Sequence, residues 1–240
     1  MKNNRKALLL LLCAVLMVGA SVFGTLAYLT DTEAVTNTFT VGSIGLKLDE
    51  ADVKPDGTLD TNERVTANDY HLLPGHTYIK DPTVTVEAKS EESYIRMLVT
   101  FNFSSQLDTI FPNANLTTIF NNYDSNNWRL NGVKEDETAN TRTYEFRYVG
   151  EEHKGTKAGT VKKTETEIKL DALFDTFTLP GAITKEQLAT LVEKDQTTGE
   201  ITKKFTISVV AHAIQADGFS TADLAWDAFD KQMTPTNPNP

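Results

Sequence analysis

Apolar residues follow three regimes along the chain. From Ala7 to Leu29 they form one block with no charged residue. From Val35 they alternate with polar ones. Val35, Asn37, Phe39 and Val41 share one parity, and Thr36, Thr38 and Thr40 hold the other. Period-two alternation rich in β-branched and aromatic residues predicts a strand. Gly42-Ser43 breaks it, and Ile44, Leu46 and Leu48 resume on the opposite parity. Residues 49–70 are acidic, poor in apolar residues and interrupted by Pro55-Asp56-Gly57, which reads as a loop. Leu73-Pro74-Gly75 predicts a turn, Val84 and Val86 a short strand, and Ile95, Met97, Val99, Phe101 and Phe103 a strand with one fully apolar face. Trp128 and Leu130 open another strand. Tyr144, Phe146 and Tyr148 alternate with Glu145 and Arg147, as on a strand with a solvated charged face.

Helical spacing is rarer. A short helix is expected around Leu116–Phe120, inside a connection over 104–126. Thr184 to Gln187 fits a capping box, with Ile183 and Leu188 as its staple and Leu191 and Val192 continuing the stripe. Ser220 to Asp223 repeats the device before Trp226 and Phe229, with Phe219 and Leu224 as staple. Between these helices Phe205, Ile207, Val209, Ala211 and Ala213 predict a long strand, and Val210 and Ile214 suggest that its other face is covered too. About eight strands with two or three short peripheral helices predict a mostly β protein: a two-sheet antiparallel sandwich of jelly-roll type. The domain is expected over residues 28–232. The Pro/Asn-rich end, 233–240, reads as a disordered tail.

The apolar block changes this picture at the N-terminus. Lys2, Arg5 and Lys6 precede it and small residues close it, the pattern of a secretory signal peptide over residues 1–27 cut between Ala27 and Tyr28. Gly24 is the alternative cut point, and an uncleaved anchor is the alternative reading, since the block is long enough to span a bilayer. In that case the chain would touch membrane only through this segment. Cys13, the one cysteine, lies inside the block, so the exported chain would hold no disulfide. The whole chain carries −10, and losing three basic groups leaves −13. That charge excludes a nucleic-acid partner, which needs clustered Lys and Arg.

Chemical motifs are sparse. HExxH, GxSxG, the P-loop and the dinucleotide fingerprint are absent. Of the four histidines, His71 and His76 flank a turn, His153 lies in a Lys-rich segment, and His212 sits mid-strand as a satisfied core or interface residue. A zinc site needs three or four ligands of fixed geometry, and no acidic partner is spaced to complete one. No catalytic residue, metal or cofactor is therefore assigned. Asp52, Asp56, Gly57, Asp60 and Glu63 match positions of a calcium loop, but Lys54 and Pro55 break the pattern and chance explains the match better.

The run "GTLAYLTDTEAVTNTFTVGSIGLKL" resembles the processing region and mature start of the TasA/camelysin (CalY) family, above all in its A-Y-x-T-D step and N-T-F-T-V-G strand. "LLPGHTYIKDPTVTVEAKSEESYIRMLVTF", "LFDTFTLPG" and "VVAHAIQADGF" are similar to later strands of that family, while 104–165 is weakly covered. The resemblance implies a jelly-roll protein of Gram-positive bacteria, exported through a SipW-type signal peptidase and placed in the biofilm matrix or at the cell surface. It implies self-association or binding to related matrix proteins. Camelysin members are labelled metallopeptidases, the alternative function; the missing zinc motif speaks against carrying that activity over. A strand freed by cleavage can add to a sheet edge of the next subunit. Residues 28–41 are the candidate donor, with Val35, Phe39 and Val41 as inserted side chains. The competing reading is that the strand completes its own sheet.

Overall fold

The computed structural model describes residues 43–111, 119–150 and 158–233. These belong to a compact unit, Gly42–Pro240. The fold is mostly β, with several antiparallel sheets and, among the described residues, three helices.

Strands β1 (Leu46–Val53) and β2 (Leu59–Val65) form an antiparallel hairpin. The segment read as a loop is therefore largely strand. Its outer positions face water and carry charge, so no apolar period betrays it. Pro55-Asp56-Gly57 does make the turn. Gly57 sits at φ +84°, and a Cβ there would lie 2.8 Å from the Tyr78 Cα, so both conformation and space demand glycine. Strand β3 is Thr77–Ile79 and β4 is Thr83–Val86, which pairs with Leu46–Asp49 of β1.

Strand β5 (Ser93–Asn102) is the central plank of a second sheet. Helix α1 (Ser104–Ile110) follows it, upstream of the expected helix. Most of that expected helix falls outside the described residues, and Phe120 instead opens β6 (Phe120–Asn121). Strands β7 (Trp128–Asp136) and β8 (Thr141–Tyr148) form a long hairpin with a bulge between Leu130 and Gly132. Short β9 (Ile168–Lys169) and β10 (Thr176–Thr178) lead to α2 (Lys185–Ala189). The Thr184–Gln187 capping box is present, but the helix ends before Thr190 and Val192 starts β11 (Val192–Lys194). That strand pairs with β12 (Ile201–Lys204), a hairpin the sequence did not reveal. Strand β13 (Ile207–Gln215) pairs along its whole length with β5. Helix α3 (Ala222–Met233) closes the described chain, so Met233 belongs to a helix and not to the tail.

Two four-stranded sheets, β2-β1-β4-β9 and β13-β5-β8-β7, share one core, and a three-stranded sheet, β3-β10-β6, closes one part of it. Val84 and Val86 from one sheet pack in the same cluster as Ile95, Met97, Val99, Phe101 and Phe146 from the other. Phe120 and Phe174 stack with ring centres 3.7 Å apart, and Tyr78 stacks on Phe177 at 4.9 Å. The predicted sandwich is present.

The outer face of the second sheet departs from expectation. Arg147, read as solvated, is buried, and so is Arg96 on β5. Helix α3 covers both. Arg96 donates to the Asp230 carboxylate from Nη1 and Nη2, at 3.2 and 2.5 Å, and its guanidinium stacks 4.4 Å from the Trp226 ring centre. Arg147 bonds Asp223. Asp223 therefore ties the helix to the sheet instead of completing a capping box. Thr221 is the cap, its Oγ1 accepting from the Leu224 N–H at 3.3 Å, and Leu224 points to solvent.

Candidate functional site

The core is unevenly covered. Along β5 the inward residues Ile95, Met97, Val99 and Phe101 are at most 2% exposed. Their neighbours on β13, Ile207, Val209, Ala211 and Ala213, face the same core and are only half-buried. Leu46 and Leu48 of β1 are half-buried too, although β4 beside them carries Val84 and Val86 at 0 and 3%. The sandwich thus has a seam between β1 and β13 at which apolar residues from both sheets remain partly open.

Backbone pairing marks the same seam. Among the described residues β13 pairs only with β5, leaving its other edge without a strand. The register of β2 on β1 begins at Glu50, so Leu46–Asp49 is paired on the β4 side alone. Between them lies a groove of about 780 Å³. Leu48, Phe177, Leu188, Leu191, Phe205 and Val209 give it an apolar lining, and Glu50, Asn68, Tyr70 and Lys80 line a polar part.

That polar part is tightly organised. Lys80 Nζ donates to Glu50 Oε2 at 2.6 Å, with both side chains under a tenth exposed. Asn68 Nδ2 donates to Glu50 Oε1 at 2.9 Å and to the Ala51 carbonyl at 2.8 Å, and Asn68 Oδ1 accepts the Val53 N–H at 3.0 Å. The Tyr70 hydroxyl donates to the Ile79 carbonyl at 2.9 Å, and burial pushes its phenol well above the ordinary range. Beside them Arg64 bonds Asp49 and donates to Asp81 at 2.7 Å and to Thr83 at 2.9 Å, fixing β2 across β1 onto the approach to β4.

The opposite outer edges of the two large sheets, β7 and β2, are guarded. Strand β7 carries a bulge and Arg129, Lys134, Glu135 and Asp136; β2 carries Asp60, Glu63 and Arg64. Bulges and charges on an edge oppose pairing with another strand. Strand β13 has neither device, and Phe205 to Ala216 holds no Asp, Glu, Lys or Arg.

Residues singled out in the sequence fall as follows. Ala27, Tyr28, Val35, Phe39 and Val41 lie outside the described residues, as does His153. Asp52 is on β1, Asp56 in the turn, and Asp60 and Glu63 on β2. Asp52 accepts from Thr61 Oγ1 at 2.7 Å, and Asp56 accepts from the Thr58 N–H and hydroxyl at 3.0 and 2.6 Å, which hold its carboxyl below the usual range. His71 lines the groove; His76 sits beyond the turn with its ring 6.3 Å from that of Tyr78. Among the described residues no three His, Cys, Asp or Glu are grouped to hold a metal ion. His212 accepts from Arg96 Nε at 3.2 Å through Nδ1 and packs on Phe229, so it is a satisfied residue beneath α3. The Glu50–Lys80 pair and the open β13 edge went unseen in the sequence. The uncharged run Phe205–Ala216 was the available signal for the second. Among the described residues no helix is long and apolar enough to cross a membrane.

No protein family, curated protein or solved structure matches the chain.

Proposed function

We propose that this chain is a secreted structural protein of the extracellular matrix or cell surface, a sandwich of jelly-roll type that assembles head to tail by lending residues 28–41 to the groove of the next copy. The observation that carries this reading is the open seam. Among the described residues it has two unpartnered strand edges and apolar residues left half-covered on both sheets, in a chain whose sequence before the first described strand alternates as that of a strand should. Backbone hydrogen bonds to a free edge supply affinity, and alternate side chains filling pockets supply specificity. Val35, Phe39 and Val41 are the side chains of suitable parity. A contact of this kind joins different surfaces of two copies, does not close, and propagates as a filament. Export through a SipW-type signal peptidase would free the donor only outside the cell, so assembly would wait for secretion.

The path of the chain into the domain favours another copy over self-completion. Ser43 and Gly45 accept from the Glu91 and Glu87 N–H groups at 3.0 and 2.9 Å, so the line of β1 continues backwards beyond Leu46. A hairpin returning to the same groove would have to turn ahead of Ser43 and so draw on the proposed donor residues.

Electron microscopy of the secreted chain, with and without residues 28–41, tests the proposal. Filaments are expected from the intact chain and monomers from the trimmed one. Identical monomeric fields would remove the claim.

A further inference from the structure

In the buried polar part of the groove, Lys80 has bonding capacity that no described residue uses. An ammonium carries three donors, and Lys80 Nζ has a single hydrogen-bond partner among the described residues, Glu50. The nearest ring, that of Tyr70, has its centre 6.0 Å away. Both oxygens of Glu50 are engaged, and the amide of Asn68 is used at each end. The spare capacity of this buried cluster therefore belongs to Lys80, which is under a tenth exposed and lines the groove. In the empty groove water can meet those donors. A strand laid across the groove would exclude that water, and the strand must then present an acceptor or leave donors of a buried cation unmatched.

The candidate strand contains one residue suited to this. The row that alternates with Thr36, Thr38 and Thr40 reads Val35, Asn37, Phe39, Val41, with Asn37 the single polar member. A buried amide needs partners as much as a buried ammonium does. A carboxylate would fit less well, because Asp49, Glu50 and Asp69 line the groove against Lys80 and Lys204. A neutral side chain that both accepts and donates satisfies Lys80 and can give its amide hydrogens to the neighbouring acids.

We infer that Asn37 of the inserted strand sets its register by accepting from Lys80, with Val35 and Phe39 placed in the apolar lining on either side. This rests on the reading that residues 28–41 fill the groove. A slip of one residue would turn the row outward, and a slip of two would press Val35 or Phe39 against the Lys80 ammonium. A single buried asparagine is known to fix register in this way where apolar contacts alone are permissive.

The test compares the exported chain with Asn37→Leu, with Lys80→Met, and with both changes together. Readouts are the concentration at which filaments appear and the melting temperature. Asn37→Leu alters no described residue, so it serves if Lys80→Met fails to fold. Asn37→Leu is expected to raise the assembly concentration about tenfold, and the double variant to recover part of that loss. Filaments from Asn37→Leu at the unaltered concentration would overturn the register while leaving fibre assembly standing. Should the unaltered chain stay monomeric, its melting temperature reads the same contact within one molecule: a lower value for Asn37→Leu keeps the register and removes the fibre, and an unchanged value removes both.

Discussion

If residues 28–41 fill the groove of the next copy as proposed, a charge placed on its β13 wall separates the cost of disturbing the domain from the cost of blocking assembly. Val209 faces the core in register with Val99 and is half-buried at the groove, while Val210, its neighbour, points to the opposite face and is 45% exposed. Val209→Glu in the empty groove removes part of one valine's burial, about 1 kcal/mol, and leaves the carboxylate able to reach water. In the filled groove the same carboxylate is cut off from water without a partner, a penalty of roughly 3 kcal/mol or more. The concentration needed for filaments should then rise about a hundredfold, since each 1.4 kcal/mol is tenfold. Val210→Glu adds the same charge one residue away on the other face and should leave that concentration unchanged. Sedimentation of filaments over a concentration series measures both, with circular dichroism melts to show that each variant folds. Equal assembly by Val209→Glu and the unaltered chain, or equal impairment by the two variants, would refute the argument.

The anchoring of α3 and the pH response follow from the opposite face of the same sheet. Arg96→Met keeps the bulk of the buried side chain but removes the bonds to Asp230 and the stacking on Trp226; a loss of about 2–4 kcal/mol is expected, read as a lower midpoint in urea unfolding. Burial, with Arg96 beside it, holds the His212 imidazole below its ordinary 6.5. The unfolded chain therefore takes up the proton first, so stability should be full above about pH 7 and fall as pH drops through 6.5 towards the folded value. His212→Phe should flatten that slope. Hydrogen bonds from Arg96 hold the Asp230 carboxyl below 3.8, so its contribution is lost only in a separate, more acid window.

The sequence was most legible where one face of a strand is buried and the other is not. The row Ile95 to Phe103 declared both its strand and the layer above it, because burial selects apolar residues at every second position. The Thr184 cap was legible because its signal is local. Hairpin β1–β2 was not, since Asp60, Asn62 and Glu63 face water and leave no period to read. Arg147 misled for the converse reason: a charged residue on the outer row reads as solvated, and only α3, more than seventy residues away in sequence, supplies the cover and the Asp223 partner. The groove belongs to the same class. Lys80 and Glu50 are thirty residues apart, and nothing in either neighbourhood announces that the fold brings them together at the open seam.

On the proposed reading, whether residues 28–41 serve their own molecule or the next turns on the few residues ahead of β1. A tethered strand sees its own groove at an effective concentration in the millimolar range, far above that of separate molecules in dilute secretion. Self-completion should therefore win wherever the chain can turn back without strain. Here the N–H groups of Glu87 and Glu91 bond the Gly45 and Ser43 carbonyls, so a chain that turned back would have to do so ahead of Ser43. A turn placed there would draw on the proposed donor residues themselves, which opposes the tether's advantage. Inserting Gly-Ser-Gly-Ser after Gly42 removes that conflict, because the turn can then fall on added residues. If the chain assembles as proposed, the insertion should shift it from filaments to monomers and raise its melting temperature in dilute solution, as scattering and thermal melts would record. If the lengthened chain makes filaments as readily as the original, the short approach to β1 is not what directs the strand to a neighbour.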